Sequence, residues 1–102
     1  SRTVDPGVHF GFYYQSFRDN KVSELFQEMF IWLRDYLYEE FLIYNKAGII
    51  QVSDELKAAD FIVTLMEGLE FHAHFLAQDR PFQEFAETAK VSALAVLKNK
   101  VL

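Results

Sequence analysis

Apolar residues recur at steps of three and four along most of this chain, and that spacing forms one face of an α-helix. Residues that break helices interrupt the pattern in three places, at Asp5-Pro6-Gly7, at Gly48 with the residues after it, and at Gln78-Asp79-Arg80-Pro81. The run Ile49–Val52 favours a strand, but it is too short and too isolated to build a sheet. The pattern therefore predicts an all-α fold.

The breaks divide the chain into four predicted helices. Gly48 can adopt the left-handed conformation that closes a helix, Ser53 is expected at an N-cap, and Pro81 suits a first turn because no backbone donor is needed there. The predicted bounds are about Val8–Phe17, Lys21–Ala47, Ser53–Ala77 and Pro81–Lys100. We expect these helices to form one antiparallel domain over residues 1–102.

The second predicted helix has one broad apolar face. That face consists of Val22, Leu25, Phe26, Met29, Phe30, Leu33, Tyr36, Leu37 and Phe41. Glu40 falls near its middle, where an unpaired carboxylate would be costly. Either this carboxylate escapes at the helix end or pairs with Lys or Arg, or it faces a cavity. Ile31, Tyr38 and Leu42 lie on the otherwise polar face, where they are expected to contact other helices or another domain.

The third and fourth predicted helices are apolar on two sides. On the third helix, one stripe is expected to face its own core: Ala58, Ile62, Leu65, Leu69, Ala73 and Leu76. The corresponding side of the fourth helix holds Phe82, Phe85, Ala86, Ala89, Ala93, Val96 and Leu97. Glycine within a helix is disfavoured by about 1 kcal/mol relative to alanine, so Gly68 indicates a close helix crossing.

The second stripes of these two helices are the predicted dimer interface. One small domain cannot bury both sides of two helices, so we expect a twofold dimer with a four-helix bundle made by the last two helices of each protomer. The interface residues are Phe61, Thr64, Gly68, Phe71 and Phe75 on the third helix and Thr88, Val91, Leu94 and Ala95 on the fourth.

Composition supports an exposed apolar surface and excludes several classes of function. The chain is 51% hydrophobic and 17% aromatic, which is more apolar surface than one core of 102 residues usually hides. Its net charge of −5 argues against contact with a nucleic-acid backbone. Without cysteine, no disulfide or thiolate metal site can form, which is compatible with a cytoplasmic location. No apolar run approaches the roughly 18 residues that span a bilayer, so no membrane association is expected.

An aromatic cluster with polar tips is the predicted lining of a small-molecule cavity. The candidate contacts are Phe10, Tyr13, Tyr14, Phe17, Phe30, Trp32, Tyr36, Glu40, Met66 and His72. Ordinary core packing is the alternative for each phenylalanine, and a satisfied buried imidazole is the alternative for His72. The sequence holds no nucleophile elbow, no phosphate-binding loop and no HExxH, so no enzyme activity, metal or cofactor is expected.

The order of these features resembles the C-terminal regulatory domain of TetR-family transcriptional repressors. The resemblance rests on Asp5-Pro6, the helix end at Ala47-Gly48-Ile49-Ile50, the start at Asp54-Glu55-Leu56-Lys57-Ala58-Ala59, the Glu67-Gly68-Leu69 step and the last amphipathic helix. It implies that the last two helices form the dimer and that the preceding helices enclose an effector cavity.

The resemblance also implies that sensing and DNA contact belong to different parts of such a repressor. These 102 residues would be the sensor and dimerisation half, and DNA would be contacted only through an N-terminal helix-turn-helix that this sequence lacks. A small hydrophobic or aromatic effector would enter beneath the third helix, move the first two helices and weaken operator affinity. The alternative is a helical protein interaction module without a small-molecule ligand, in which all the aromatic residues are core.

Overall fold

The structure is a computed structural model that describes residues 18–76 and 80–102. These ranges hold three helices, α1 (Asn20–Lys46), α2 (Glu55–Leu76) and α3 (Phe82–Lys98), and they contain no strand. The all-α prediction is therefore confirmed. The predicted first helix, about Val8–Phe17, lies outside the described residues, so the fourth helix and the dimeric bundle stay predictions.

The chain divides into two compact units, residues 1–32 and residues 33–102, and α1 contributes to both. In the first unit, Asp19 caps the start of α1, because its Oδ1 accepts from the backbone N–H of Lys21 at 2.8 Å and of Val22 at 3.3 Å. The rings of Phe26 and Phe30 stack one turn apart, with centroids 6.0 Å apart. A single domain over 1–102 stays a prediction.

The end of α1 follows the prediction from Gly48. This glycine has a φ of 77°, and its N–H donates to the Asn45 carbonyl at 3.1 Å, while the Ile49 N–H donates to the Tyr44 carbonyl at 2.9 Å. These two bonds form a Schellman motif, which satisfies carbonyls that the helix leaves free. The helix therefore ends at Lys46 because glycine tolerates the left-handed conformation.

The N-cap of α2 is Asp54, so the prediction of Ser53 was wrong. The Asp54 Oδ1 accepts from the Lys57 N–H at 3.0 Å, and the Asp54 carbonyl accepts from the Ala58 N–H at 3.0 Å. Ser53 instead pairs with the end of the chain, because its N–H donates to the Leu102 carbonyl at 2.7 Å. Both residue types favour N-caps, so the pairing of Ser53 with the end of the chain decides between them.

Both ends of α3 differ slightly from the prediction. Pro81 is the N-cap in extended conformation, with ψ of 146°, rather than a residue of the first turn. The helix ends at Lys98 rather than at Lys100, because Lys100 has a φ of 57° and its N–H donates to the Gln51 carbonyl at 3.1 Å. That bond holds Lys100 away from the helical conformation.

The core of residues 33–102 gathers around the junction of α1 and α2. Its buried members are Phe41, Ile50, Val52, Ala58, Ala59 and Leu97, and Leu37, Tyr38, Ile62 and Leu102 pack against them half-buried. The side chains of Ala58 and Ala59 are fully buried, which lets the neighbouring segments approach α2 closely. Helices α2 and α3 also pack against each other.

The buried face of α1 is rotated from the predicted one. Tyr38 was assigned to the outer face but packs against the core, whereas Tyr36 was assigned to the apolar face and is 52% exposed. On a helix, residues two apart point about 200° apart, so one face cannot hold both. The face of α1 that contains Leu37 and Phe41 packs against the core. Tyr38 lies nearer to this face than Tyr36 does.

Candidate functional site

Asn45 organises the loop between α1 and α2. Its Nδ2 donates to the Val52 carbonyl at 2.8 Å and to Glu55 Oε2 at 2.8 Å, and its Oδ1 accepts from the Val52 N–H at 3.1 Å. The side chain thus pairs with both backbone groups of Val52, as a neighbouring strand would. All its donor and acceptor groups are engaged, so Asn45 fixes where the loop lies between the two helices.

The end of the chain closes this loop from the other side. The Gln51 N–H donates to the Leu97 carbonyl at 2.7 Å, the Lys100 N–H donates to the Gln51 carbonyl, and the Ser53 N–H donates to the Leu102 carbonyl. Ile50, Val52 and Leu97 are buried beneath these bonds. The residues that follow α3 are therefore part of the α1–α2 junction.

A pocket of about 300 Å³ opens at this junction. It is lined by Asn45, Gly48, Ile50, Gln51, Val52, Ser53 and Lys100. None of the predicted effector contacts is among these residues, so the sequence did not indicate this site.

The predicted effector contacts fall into three groups. Phe10, Tyr13, Tyr14 and Phe17 lie outside the described residues. Trp32, Tyr36, Met66 and His72 are exposed, and Trp32 is exposed at 67%. Phe30 and Glu40 are half-buried.

Glu40 has a partner on its own helix. The Tyr44 hydroxyl, one turn later, donates a hydrogen bond to the Glu40 carboxylate. This bond, followed by the negative charge of Glu40, raises the pKa of Tyr44 above its ordinary value of 10.0, and Tyr36 adds a smaller effect. The carboxylate of Glu40 therefore interacts with a tyrosine rather than with the Lys or Arg expected from the sequence.

His72 connects two helices. Its ring contacts that of Phe85 on α3 edge to face, with centroids 5.3 Å apart. His74 is exposed, and its ring contacts that of Phe75 with centroids 5.3 Å apart. The two histidines therefore contact different aromatic residues.

The second stripes of α2 and α3 are open to solvent in the single chain. Phe71 is 48% exposed and Phe75 68% exposed, and their rings contact each other with centroids 5.0 Å apart. Val91 and Leu94 on α3 are exposed as well. Thr64, Gly68, Thr88 and Ala95 are exposed, and Phe61 is half-buried. These helices therefore carry large apolar side chains on their outer sides.

Gly68 makes no close helix crossing within the described part of the chain. A methyl group added at its Cα would meet no described atom within 4 Å beyond the neighbouring backbone of its own helix. The crossing inferred from this glycine therefore has no partner among the described residues and stays a prediction.

Residues 18–76 and 80–102 bring together no group of three side chains able to hold a metal ion. None of α1 to α3 has the length and hydrophobicity that a membrane-spanning helix requires.

The junction was missed because its bonds are mostly between backbone groups. Leu97 and Gln51 pair through a carbonyl and an N–H, and such pairs leave no mark on residue type. Asn45 was the available sequence signal: an amide side chain just before the helix-ending glycine suits a loop contact.

Comparison with known proteins gives one result. A family model described as "Tetracyclin repressor-like, C-terminal domain" matches residues 1–99. Neither the curated proteins nor the solved structures gave a match.

Proposed function

The chain belongs to the tetracyclin repressor-like C-terminal domain family, and from this we propose that it is the regulatory domain of a TetR-like transcriptional repressor. The domain would dimerise, bind a small, mostly apolar effector and control the DNA affinity of a reader domain outside these residues. The match over residues 1–99 is the observation that carries the proposal. Domains of this family are regulatory rather than enzymatic, which agrees with the absence of a catalytic motif from the sequence.

Dimerisation is supported by the outer stripes of α2 and α3. Phe71, Phe75, Val91 and Leu94 are all more than a third exposed, and exposed apolar clusters of this kind occur at protein interfaces. Gly68 lies between the aromatic residues of its stripe and leaves room for another helix. Burying these side chains against a second copy would remove apolar surface from water, at about 25 cal/mol per Å².

Effector binding is the part of the proposal that rests on the sequence. The candidate contacts are the aromatic residues and polar tips named above, with Tyr36 and Glu40 on α1 and Met66 and His72 on α2. An effector would change DNA affinity only if it bound one arrangement of the domain more tightly than another. A hundredfold preference corresponds to about 2.7 kcal/mol and would shift the populations substantially.

The alternative is a helical interaction module without a small-molecule ligand. It is favoured by the exposure of Trp32, Tyr36, Met66 and His72, since side chains of an enclosed cavity would be buried. Ligand binding separates the two functions.

Two measurements on the 102-residue chain test the proposal. Sedimentation velocity at micromolar concentration should show a dimer, and a monomer would contradict it. Thermal unfolding should be repeated with aromatic acids, lipids and drug-like cations, while the fluorescence of Trp32 reports on its surroundings. A ligand at 100 times its Kd stabilises the folded state by about 2.7 kcal/mol, so the Tm should rise by several degrees. A dimer that responds to no compound in this panel would favour the interaction module.

A further inference from the structure

The pocket at the α1–α2 junction has a wall chemistry distinct from that of the predicted effector cavity. We propose that it is a separate site for a small organic acid, whose carboxylate binds at Lys100 and whose apolar body lies along the loop around Ile50. This inference does not depend on the proposed function, because no predicted effector contact lines the pocket.

The free polar groups of the pocket suit an anion. Asn45 cannot serve a ligand, since Val52 and Glu55 occupy its amide. Within the described ranges, neither the Gln51 amide nor the Ser53 hydroxyl has a hydrogen-bond partner, and the Lys100 ammonium forms no ion pair. Each of these three side chains can donate a hydrogen bond, and a carboxylate accepts such bonds at both oxygens.

The backbone of Lys100 gives a second reason to assign it a role. Its φ of 57° lies in the left-handed region, which glycine adopts freely and a lysine rarely does. The position directly follows Asn99, the C-cap of α3, where glycine is the usual residue. A lysine at this position is therefore unfavourable for the backbone conformation, whereas its ammonium would supply a positive charge to the pocket.

The size of the pocket limits the ligand. A volume of about 300 Å³ is at the lower end of the range for small-molecule sites, so an acid with a body of about one aromatic ring fits. The apolar residues among those that line the pocket are Ile50 and Val52, apart from Gly48. Benzoate is therefore a suitable probe, and benzamide is its neutral counterpart of nearly equal shape.

The test is a titration of the 102-residue chain with sodium benzoate, followed through the backbone amide resonances in NMR spectra. We expect saturable shifts at Gln51, Ser53 and Lys100. Lys100→Met should weaken binding about fivefold or more, because it removes the charge and keeps much of the side-chain length. Lys98→Met is the matched control, since Lys98 is an exposed lysine that does not line the pocket.

A further variant separates binding from folding. Lys100→Gly removes the ammonium and suits the left-handed backbone, so its Tm should equal that of the wild type or exceed it by up to about 5 °C. Its affinity for benzoate should nevertheless fall as in Lys100→Met. Residue-resolved shifts also distinguish this site from an effector cavity, because benzoate bound there would shift other amides.

Three results would overturn the proposal. Benzamide could shift the same amides with the same midpoint, in which case the charge is not recognised. The Lys100→Met protein could bind benzoate as the wild type does. Finally, benzoate could cause no saturable shift at Gln51, Ser53 and Lys100.

Discussion

Two regions within residues 33–102 differ in whether their apolar side chains are buried or exposed. At the α1–α2 junction, Ile50, Val52 and Leu97 are buried beneath backbone hydrogen bonds. On the outer stripes of α2 and α3, larger side chains such as Phe71 and Phe75 stay exposed. The junction buries its apolar side chains within one chain, whereas the stripes leave apolar surface in contact with water.

The difference indicates which region depends on a partner. A junction that already buries its apolar side chains gains little free energy from association with a second chain. An exposed apolar stripe gains free energy from association in proportion to the area it buries. We therefore expect substitutions in the stripes to change self-association and substitutions at the junction to change the free energy of unfolding.

The largest effect is expected for Phe71→Glu. If the stripes form the dimer, this change buries a carboxylate in an apolar interface and should raise the Kd of self-association by about a hundredfold or more. Sedimentation velocity measures the Kd, and circular dichroism checks that the helices remain. Gln83→Glu is the control, since it adds the same charge at an exposed position of α3 outside the stripe. Equal weakening by both variants would show that net charge, not the stripe, governs association.

The next largest effect is expected at the junction, for Asn45→Ala. The change removes three hydrogen bonds and leaves the N–H and C=O of Val52 without their side-chain partner, which should lower the free energy of unfolding by about 2–4 kcal/mol. Urea denaturation gives this value. Asn99→Ala is the matched control, because it removes one exposed hydrogen bond, to the Ala95 carbonyl, and should cost under about 1 kcal/mol. Similar losses in the two variants would mean that Asn45 does not hold the junction.

Alanine at the two helix-associated glycines should act with opposite signs. Gly48→Ala places a side chain at a φ of 77° with open space around it, so the backbone alone should lower stability by about 1 kcal/mol. Gly68→Ala is helical and equally open, and it should raise the stability of the single chain by about 0.5–1 kcal/mol.

Measurements at low and high protein concentration separate the effects of the two glycine variants on folding from their effects on the dimer. Thermal unfolding of dilute, monomeric protein should show the two opposite shifts in Tm. If Gly68 lies at a helix crossing between two chains, Gly68→Ala should also weaken the dimer. An unchanged Kd of self-association would remove Gly68 from the proposed interface.

The helices, and the stripe of α2 that faces its own core, could be predicted because burial at a helical period produces a periodic pattern of apolar residues in the sequence. Ala58, Ile62 and Ala73 recur at helical spacing, and the structure buries or half-buries all three. Gly48 could be predicted because one backbone conformation requires glycine. In both cases the residue type at a position depends on the local environment of that position.

Other features could not be predicted, because they depend on neighbours distant in sequence. Tyr36 and Tyr38 are both amphipathic, and only the position of the core decides which one is buried. Asp54 became the N-cap because Ser53 pairs with Leu102, far along the chain. The pocket at the α1–α2 junction depends on the same long-range pairing, so no local sequence pattern predicts it.

The smallest predicted effect concerns the Glu40–Tyr44 pair, which belongs to neither region compared above. The hydrogen bond from Tyr44 and the charge of Glu40 raise the Tyr44 pKa above 10.0. The folded-state pKa therefore exceeds the unfolded one, and the pair stabilises the fold at neutral pH and loses that contribution as pH rises through the raised pKa. Glu40→Gln should lower the Tyr44 pKa toward its ordinary value, because it removes the negative charge. The Tyr44 ionisation is obtained from near-ultraviolet absorbance as the difference between each protein and its Tyr44→Phe derivative. Glu39→Gln, the same change at the neighbouring exposed position, should leave the titration in place, and an equal shift there would assign the effect to net charge rather than to the pair.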